Sequence, residues 1–389
     1  MLSQSLMDLF STVVCISYLV YWFRNDKGQL KFFGRTGLEI FWAVWILVVA
    51  LGFILNSSLN AYAWNRIIEF KWILILYCFV EVLRRQEFTK DKLQWVTIPL
   101  RVVAILSLAM FFLKPEFARF LWEEADDRLG GAFADPMTFA HSFGQFFVFL
   151  FGILVFMWQE LQKKQKAFLL TTIIVLGLCV LFTFTRGVWI GCAVACLVVA
   201  GMFSWRLLLG FSAAGAVGLG LLISFWTAFR ERILFVLNSS NNYDSQRIAL
   251  WKANWAMVQD YPILGTGYGV NSQRLGEYFE RLGYPADQFK SHAHNEYLHL
   301  WAGTGTLGLL CYLFFVGFLL TQTWLSFKKF QSWEKAVMAG CMAAQVEFLV
   351  SGFTESNFER SKVRFVAMMV WALVLVYRSV RLNQSRKNP

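Results

Sequence analysis

Residues 163–203 read KKQKAFLLTTIIVLGLCVLFTFTRGVWIGCAVACLVVAGMF, and this stretch decides the fold. The lysines Lys163, Lys164 and Lys166 open into an apolar run that ends at Thr183-Phe184-Thr185-Arg186-Gly187, and a second apolar run leaves that turn. A helix needs about 20 mostly apolar residues to cross roughly 30 Å of hydrocarbon. Inside hydrocarbon each backbone polar group must find its partner within the chain, which leaves the helix as the form of an unbroken apolar run. The stretch predicts a membrane-spanning helical hairpin with an arginine at its hinge.

Reading outward, the pattern recurs from end to end. Spans are predicted at about 6–23, 39–57, 66–82, 94–113, 137–158, 167–184, 187–203, 207–228, 297–322, 336–353 and 363–379. The expected fold is all-α, a polytopic integral membrane protein with roughly 11–12 transmembrane helices, organised as a single transmembrane domain over 1–389. Composition agrees: 57% of residues are hydrophobic and 16% charged, against about 25% charged in soluble domains. The first span has neither a basic leader nor a small-residue cleavage site and reads as a retained helix. All seven cysteines fall inside hydrophobic spans without metal or redox spacing, so they read as small packing residues.

The net charge of +11 is topology and does not point to nucleic acid. Basic residues gather on alternate sides of successive spans: Arg24 to Arg35, Arg84 to Lys92, Lys163 to Lys166, Arg206, Lys328 to Lys335, and the tail from Arg378 to Lys387. The positive-inside rule puts these in the cytoplasm, with the N-terminus outside and the C-terminus inside. Four features then face outward. They are the 114–136 loop, whose Phe117–Trp122 stretch reads as a short interfacial helix, the turn bearing Arg186, the long segment 229–296, and the loop Thr354-Glu355-Ser356-Asn357-Phe358-Glu359-Arg360. Within the long segment, Asp244 or Ser245 is expected to cap a helix running to about Asp260, with Ile248, Trp251, Trp255 and Val258 on the face that rests on protein or lipid. Gly265-Thr266-Gly267-Tyr268-Gly269 looks superficially like a nucleotide loop. No strand precedes it, so it reads as a flexible turn, followed by a second short helix over about 272–282.

Three of the four histidines (His292, His294, His299) fall within eight residues, where the long segment meets a hydrophobic span. Their spacing is not that of two ligands on one helical face, and only Glu296 lies nearby as a carboxylate, so a general base fits better than a metal centre. His292 and His299 also fit as satisfied interfacial residues, as does His141. Arg186 reads either as a snorkelling side chain or as an anion clamp whose fork matches phosphate oxygens. Arg247 gains meaning only in company with such a site. Arg101 and Glu347 are intramembrane charges that suggest a polar interior or interhelical pairs.

The turn with Arg186, the stretch Ser245-Gln246-Arg247-Ile248-Ala249-Leu250-Trp251 and the later His294-Asn295 together resemble the O-antigen ligase superfamily, which also includes O-antigen polymerases. In that family a His-Asn pair is followed by nine residues and then Gly-x-x-Gly; here His294-Asn295 is followed by nine residues and Gly305-Thr306-Leu307-Gly308. Tyr261-Pro262-Ile263-Leu264-Gly265-Thr266-Gly267 is similar to the family's Pro-x-x-Gly-x-Gly turn. The likeness covers about residues 136–310.

The resemblance implies a GT-C-like helical membrane fold and a metal-independent, inverting glycosyltransferase without cofactor, acting on the periplasmic face of the bacterial inner membrane. Its partners would be the bilayer, an undecaprenyl diphosphate-linked glycan donor and a lipid A-core acceptor. Carried over by motif, Arg186 and Arg247 hold the donor diphosphate and His294 activates the acceptor hydroxyl, with His292, Asn295 and Glu355 in support. Segment 229–296 becomes the large periplasmic loop. The family pattern has a cytoplasmic N-terminus and one more helix at the start than is read here. A polymerase or another lipid-linked-glycan transferase of the superfamily is the nearest rival. A transporter is the rival of a different class, and the internal repeats common there are not found.

Overall fold

The computed structural model describes residues 36–56, 70–116, 128–227, 229–231, 242–285 and 291–387, with Thr12, Val13, Ile16, Ser17, Val20 and Arg24 from the first segment; for 242–245 and 385–387 only the backbone is described. Among these residues the regular structure is entirely helical. The main helices are α1 (Glu39–Asn56), α2 (Lys71–Gln86), α3 (Leu93–Leu113), α4 (Pro136–Met157), α5 (Lys163–Phe182), α6 (Arg186–Phe203), α7 (Trp205–Phe225), α8 (Asn242–Asp260), α9 (Asn271–Arg281), α10 (Glu296–Lys329), α11 (Ser332–Ser351) and α12 (Ser361–Lys387).

Eight helical segments among the described residues are long and apolar enough to cross a membrane: α1, Lys90–Leu113, α4, α5, α6, α7, α10 and α12. The protein is a polytopic, all-α membrane protein. Of the other three expected spans, 6–23 lies outside the described residues except for Thr12, Val13, Ile16, Ser17 and Val20, and the expected interfacial helix at 117–122 lies wholly outside them. The span expected at 66–82 becomes α2, which has 16 residues and at 1.5 Å per residue reaches only about 24 Å. The span at 336–353 becomes α11, 20 residues long, whose sequence mixes four alanines with a glycine, a glutamine and two glutamates. It is buried almost throughout, so its side chains answer to neighbouring helices and not to lipid.

The chain divides into two compact units, the first drawn from Met1–Glu81, Val236–Leu319 and Gly352–Ser356, the second from Val82–Phe235, Leu320–Ser351 and Asn357–Pro389. The second unit is built on close helix crossings. A Cβ placed on Gly152 of α4 would lie 2.7 Å from the backbone of Gly340 on α11, the small-residue contact by which helices approach in membranes. In the same unit Glu347 is fully buried among Gly144, Gly191 and Cys192. Arg101 lies over the Phe168 ring at 5.0 Å.

In the first unit α8 and α9 share a core of Ala249, Leu250, Ala253, Met257, Leu275, Tyr278 and Phe279, with Ala302 from α10. The face read for α8 as resting on protein or lipid lies largely outside this core. Ile248, Trp251 and Trp255 are 47%, 39% and 47% exposed, and of the four only Val258 is buried. Small alanines let α9 come close, so the narrow face turned inward and the bulky face outward. The helix also begins at Asn242, which puts Asp244 and Ser245 inside its first turn and not at the cap.

The glycine turn is not flexible. Residues 265–271 are buried and their backbone is hydrogen-bonded to α10: Thr266 N to Ala302 O (2.9 Å), Gly267 N to Gly303 O (3.0 Å), Thr306 N to Pro262 O (2.8 Å) and Leu307 N to Ile263 O (3.2 Å). The docking needs a break in α10, which Gly305 supplies with φ 66° and ψ −174°, a conformation open essentially to glycine alone. A Cβ on Gly265 would lie 2.5 Å from backbone atoms of residues 303–305, and one on Gly305 would run into the Ile263 carbonyl.

Candidate active site

The non-helical stretch 291–295, bent at His294, enters α10 and carries His292 and His294. Asn295 caps the helix, its Oδ1 accepting from Leu298 N at 3.0 Å, as a short polar side chain does for an orphan N–H of the first turn. From α8, Trp251 Nε1 donates to Ala293 O (2.8 Å). Glu296 N donates to Gly352 O (2.7 Å), and the Tyr297 and Phe353 rings pack at 4.6 Å. These last two contacts fix the loop 352–356 against the helix start, and that loop brings in Glu355.

Glu355 is fully buried. Its Oε1 faces His292 Nε2 in a close hydrogen bond and also accepts from Ser356 N at 3.0 Å. Its Oε2 lies 3.2 Å from His294 Nδ1. The two imidazoles flank one carboxylate, with ring centroids 4.3 Å apart. His292 Nδ1 meets Ser291 Oγ at 3.2 Å. The His292 side chain is 21% exposed and that of His294 10%.

His294 sits at φ 47°, the left-handed region that non-glycine residues seldom occupy. Its pKa lies below the ordinary 6.5. Burial is the largest cause; Glu355 pulls the value up again, and the charges of His292 and Arg247 push it down. Arg247, half-buried on α8, is thus close enough for its charge to reach the imidazole. The site holds a neutral histidine with one nitrogen on a carboxylate and a cation nearby. Such a group can take a proton.

The trio His292, His294 and Glu355 also has its ligand atoms within 4.8 Å of one another. The carboxylate of the trio is Glu355, distant in sequence, and not Glu296. His299 takes no part in it. His299 is buried, and its Nδ1 pairs with Asn271 Nδ2 (2.9 Å), which also donates to Asn254 Oδ1 (2.7 Å). It is a core histidine that ties α10 to α8 and α9. His141, in the second unit, is likewise buried, with Nδ1 3.2 Å from Ser351 Oγ.

Arg186 belongs to the second unit, where it is the first residue of α6 and half-buried. The turn before it is held firmly. Phe184 takes φ 49°, and Thr183 and Thr185 are buried. Arg128 donates from Nε to Thr183 O (2.8 Å) and from Nη2 to Thr185 Oγ1 (3.0 Å). Leu129 N bonds Phe182 O (3.0 Å). Sequence reasoning missed Arg128; its one local signal is the Gly130-Gly131 pair that lets the chain turn beside it.

Residues 171–313 match a family model described as O-antigen ligase. Among curated proteins, the chain is 27% identical over 187 residues to an O-antigen ligase of Salmonella typhimurium, covering 45% of each chain. It is 26% identical over 235 residues to the teichuronic acid biosynthesis protein TuaE of Bacillus subtilis, covering 56% of this chain and 46% of that one. The chain therefore spans somewhat under half the length of these relatives. The matched family region contains Arg186, Arg247, His292, His294, Asn295 and both glycine motifs.

Proposed function

We propose, from the premise that residues 171–313 carry an O-antigen ligase family domain, that this protein is a metal-independent, inverting glycosyltransferase of the inner membrane. In this reading it transfers a glycan from undecaprenyl diphosphate to the lipid A-core oligosaccharide on the periplasmic face, within one GT-C-like transmembrane body whose periplasmic loop is 229–296. The observation that carries the reading is the neutral, largely buried His294 held on Glu355 beside Arg247.

The chemistry follows from those groups. A sugar hydroxyl is a poor nucleophile until a base takes its proton. With Nδ1 turned to Glu355, His294 has Nε2 for that proton, and the buried carboxylate stabilises the imidazolium that forms. The hydroxyl oxygen attacks the anomeric carbon from the face opposite the diphosphate. The bond from that carbon to the phosphate oxygen breaks, and its electron pair leaves with the diphosphate. Arg247 and Arg186 are assigned to the charge that builds there, because guanidinium offers two parallel donors to phosphate oxygens. His292 supports Glu355 from its second oxygen, and Asn295 sets the start of the helix behind the base.

The test is transfer by purified protein from lipid-linked glycan to lipid A-core. His294→Ala is expected to lower the rate by about 10²–10⁴-fold with the helical signal and elution volume unchanged; normal transfer by this variant would overturn the assignment. A second reading, polymerase or other lipid-linked-glycan transferase, is favoured by the relative named for teichuronic acid biosynthesis. A product ladder on the polyprenyl carrier identifies it, and substrate uptake without any glycosyl product identifies a transporter.

A further inference from the structure

The two imidazoles and the carboxylate at the mouth of α10 have a second chemistry, independent of glycosyl transfer. We propose that His292 Nε2, His294 Nδ1 and one oxygen of Glu355 form a binding site for a divalent late first-row metal ion, zinc being the best fit.

The geometry is near what an ion needs. Zinc bonds of about 2.0–2.2 Å put tetrahedral ligand atoms roughly 3–3.5 Å apart. His294 Nδ1 and Glu355 Oε2 stand at 3.2 Å, and the widest separation in the trio is at most 4.8 Å. A contraction of roughly an ångström at the widest pair completes the set, and the partly exposed His292 can supply it. Two imidazoles and one carboxylate suit zinc and its neighbours, whereas magnesium and calcium require oxygen ligands.

The surroundings also resemble those of a ligand shell. Metal-bound histidines commonly give their other ring N–H to a nearby acceptor, and His292 Nδ1 has Ser291 Oγ at 3.2 Å. Ser356 N holds Glu355 Oε1 at 3.0 Å, which orients the carboxylate. The exposed side of His292 leaves a fourth position for water. The charge of Arg247 opposes the ion, so this site binds more weakly than an all-anionic one.

Proton balance is simple when both rings are neutral. In the metal-free site each ring points its one N–H at the Glu355 carboxylate, from His292 Nε2 and His294 Nδ1. On binding, each ring changes tautomer: the His292 proton moves to Nδ1, toward Ser291, and the His294 proton to Nε2, so the two freed nitrogens take the ion and no net proton leaves. His294 then has no nitrogen left to accept a proton, so the bound ion stops transfer. That last step rests on His294 being the base, whereas the binding itself does not.

Full-length protein in detergent, stripped with chelator, would be titrated with Zn²⁺ alone against a chromophoric indicator. One equivalent per chain is expected, and Co²⁺ should give the visible absorption of a four-coordinate nitrogen–oxygen site. Glu355→Gln and His292→Ala should each weaken binding by about tenfold or more; Glu355→Gln keeps the side-chain shape, so folding is retained. No stoichiometric binding by the unaltered chain, or equal binding in both variants, overturns the site. Zinc inhibition of transfer that chelator reverses supports both proposals together. One equivalent bound with transfer unimpaired leaves the metal site standing and overturns His294 as the base.

Discussion

His294 carries its imidazole on a backbone at φ 47°, and its neighbours keep that imidazole unprotonated at neutral pH. A base must be free of its proton, so kcat/KM should fall as pH drops through the His294 pKa. Because burial first of all lowers that pKa, the acid limb should lie below 6.5. Glu355→Gln removes the charge that pulls the pKa up and should move the limb further to acid while lowering the plateau. A limb at or above the usual histidine value, or one that Glu355→Gln leaves in place, contradicts this picture. At this scale the sequence was partly legible. Spacing to the glycines singled out His294, and the segment containing Glu355 was recognisable as a loop. Their pairing was not, because 61 residues separate them and no local pattern records which loop closes on which helix. Arg128 was hidden for the same reason, its partners being 55 and 57 residues away.

The helical segment 296–304 is locked at both ends: Asn295 caps its start, and the break at Gly305 docks its far end on the turn 262–267. Gly305→Ala should therefore destabilise the protein by about 1–3 kcal/mol from backbone strain alone, with more from the clash against the Ile263 carbonyl. Thermal unfolding in detergent would register this as a melting temperature lowered by several degrees; an unchanged midpoint would mean the docking is not needed. Periodicity placed the start of every helix of this region within a few residues, although α10 runs on to Lys329, past the expected end at 322. It could not show that the alanine face of α8 is the one that packs on α9, because tryptophan outweighs alanine in any hydrophobic pattern, while close packing rewards the smaller side chain. It took the glycine turn for a flexible one because composition cannot report hydrogen bonds to a distant helix.

For the whole molecule, hydrophobic run length was enough to establish a polytopic helical protein. Its weakness was α11, where neighbours set the composition and lipid does not. Orientation rests on the basic clusters. A fluorescent protein that matures only in the cytoplasm, fused after residue 387, should be bright, and a phosphatase active only in the periplasm should work when inserted at 286–290. The reverse result would put the His294 site on the wrong side for a periplasmic acceptor.

The glycine lock has one more consequence. Each added residue in a helix advances it by 1.5 Å and turns it by about 100°. With the far end pinned at Gly305, the nine residues after Asn295 act as a ruler with a phase. One insertion there would swing His294 away from Glu355 although every side chain was still present, so length in this segment is constrained as tightly as identity.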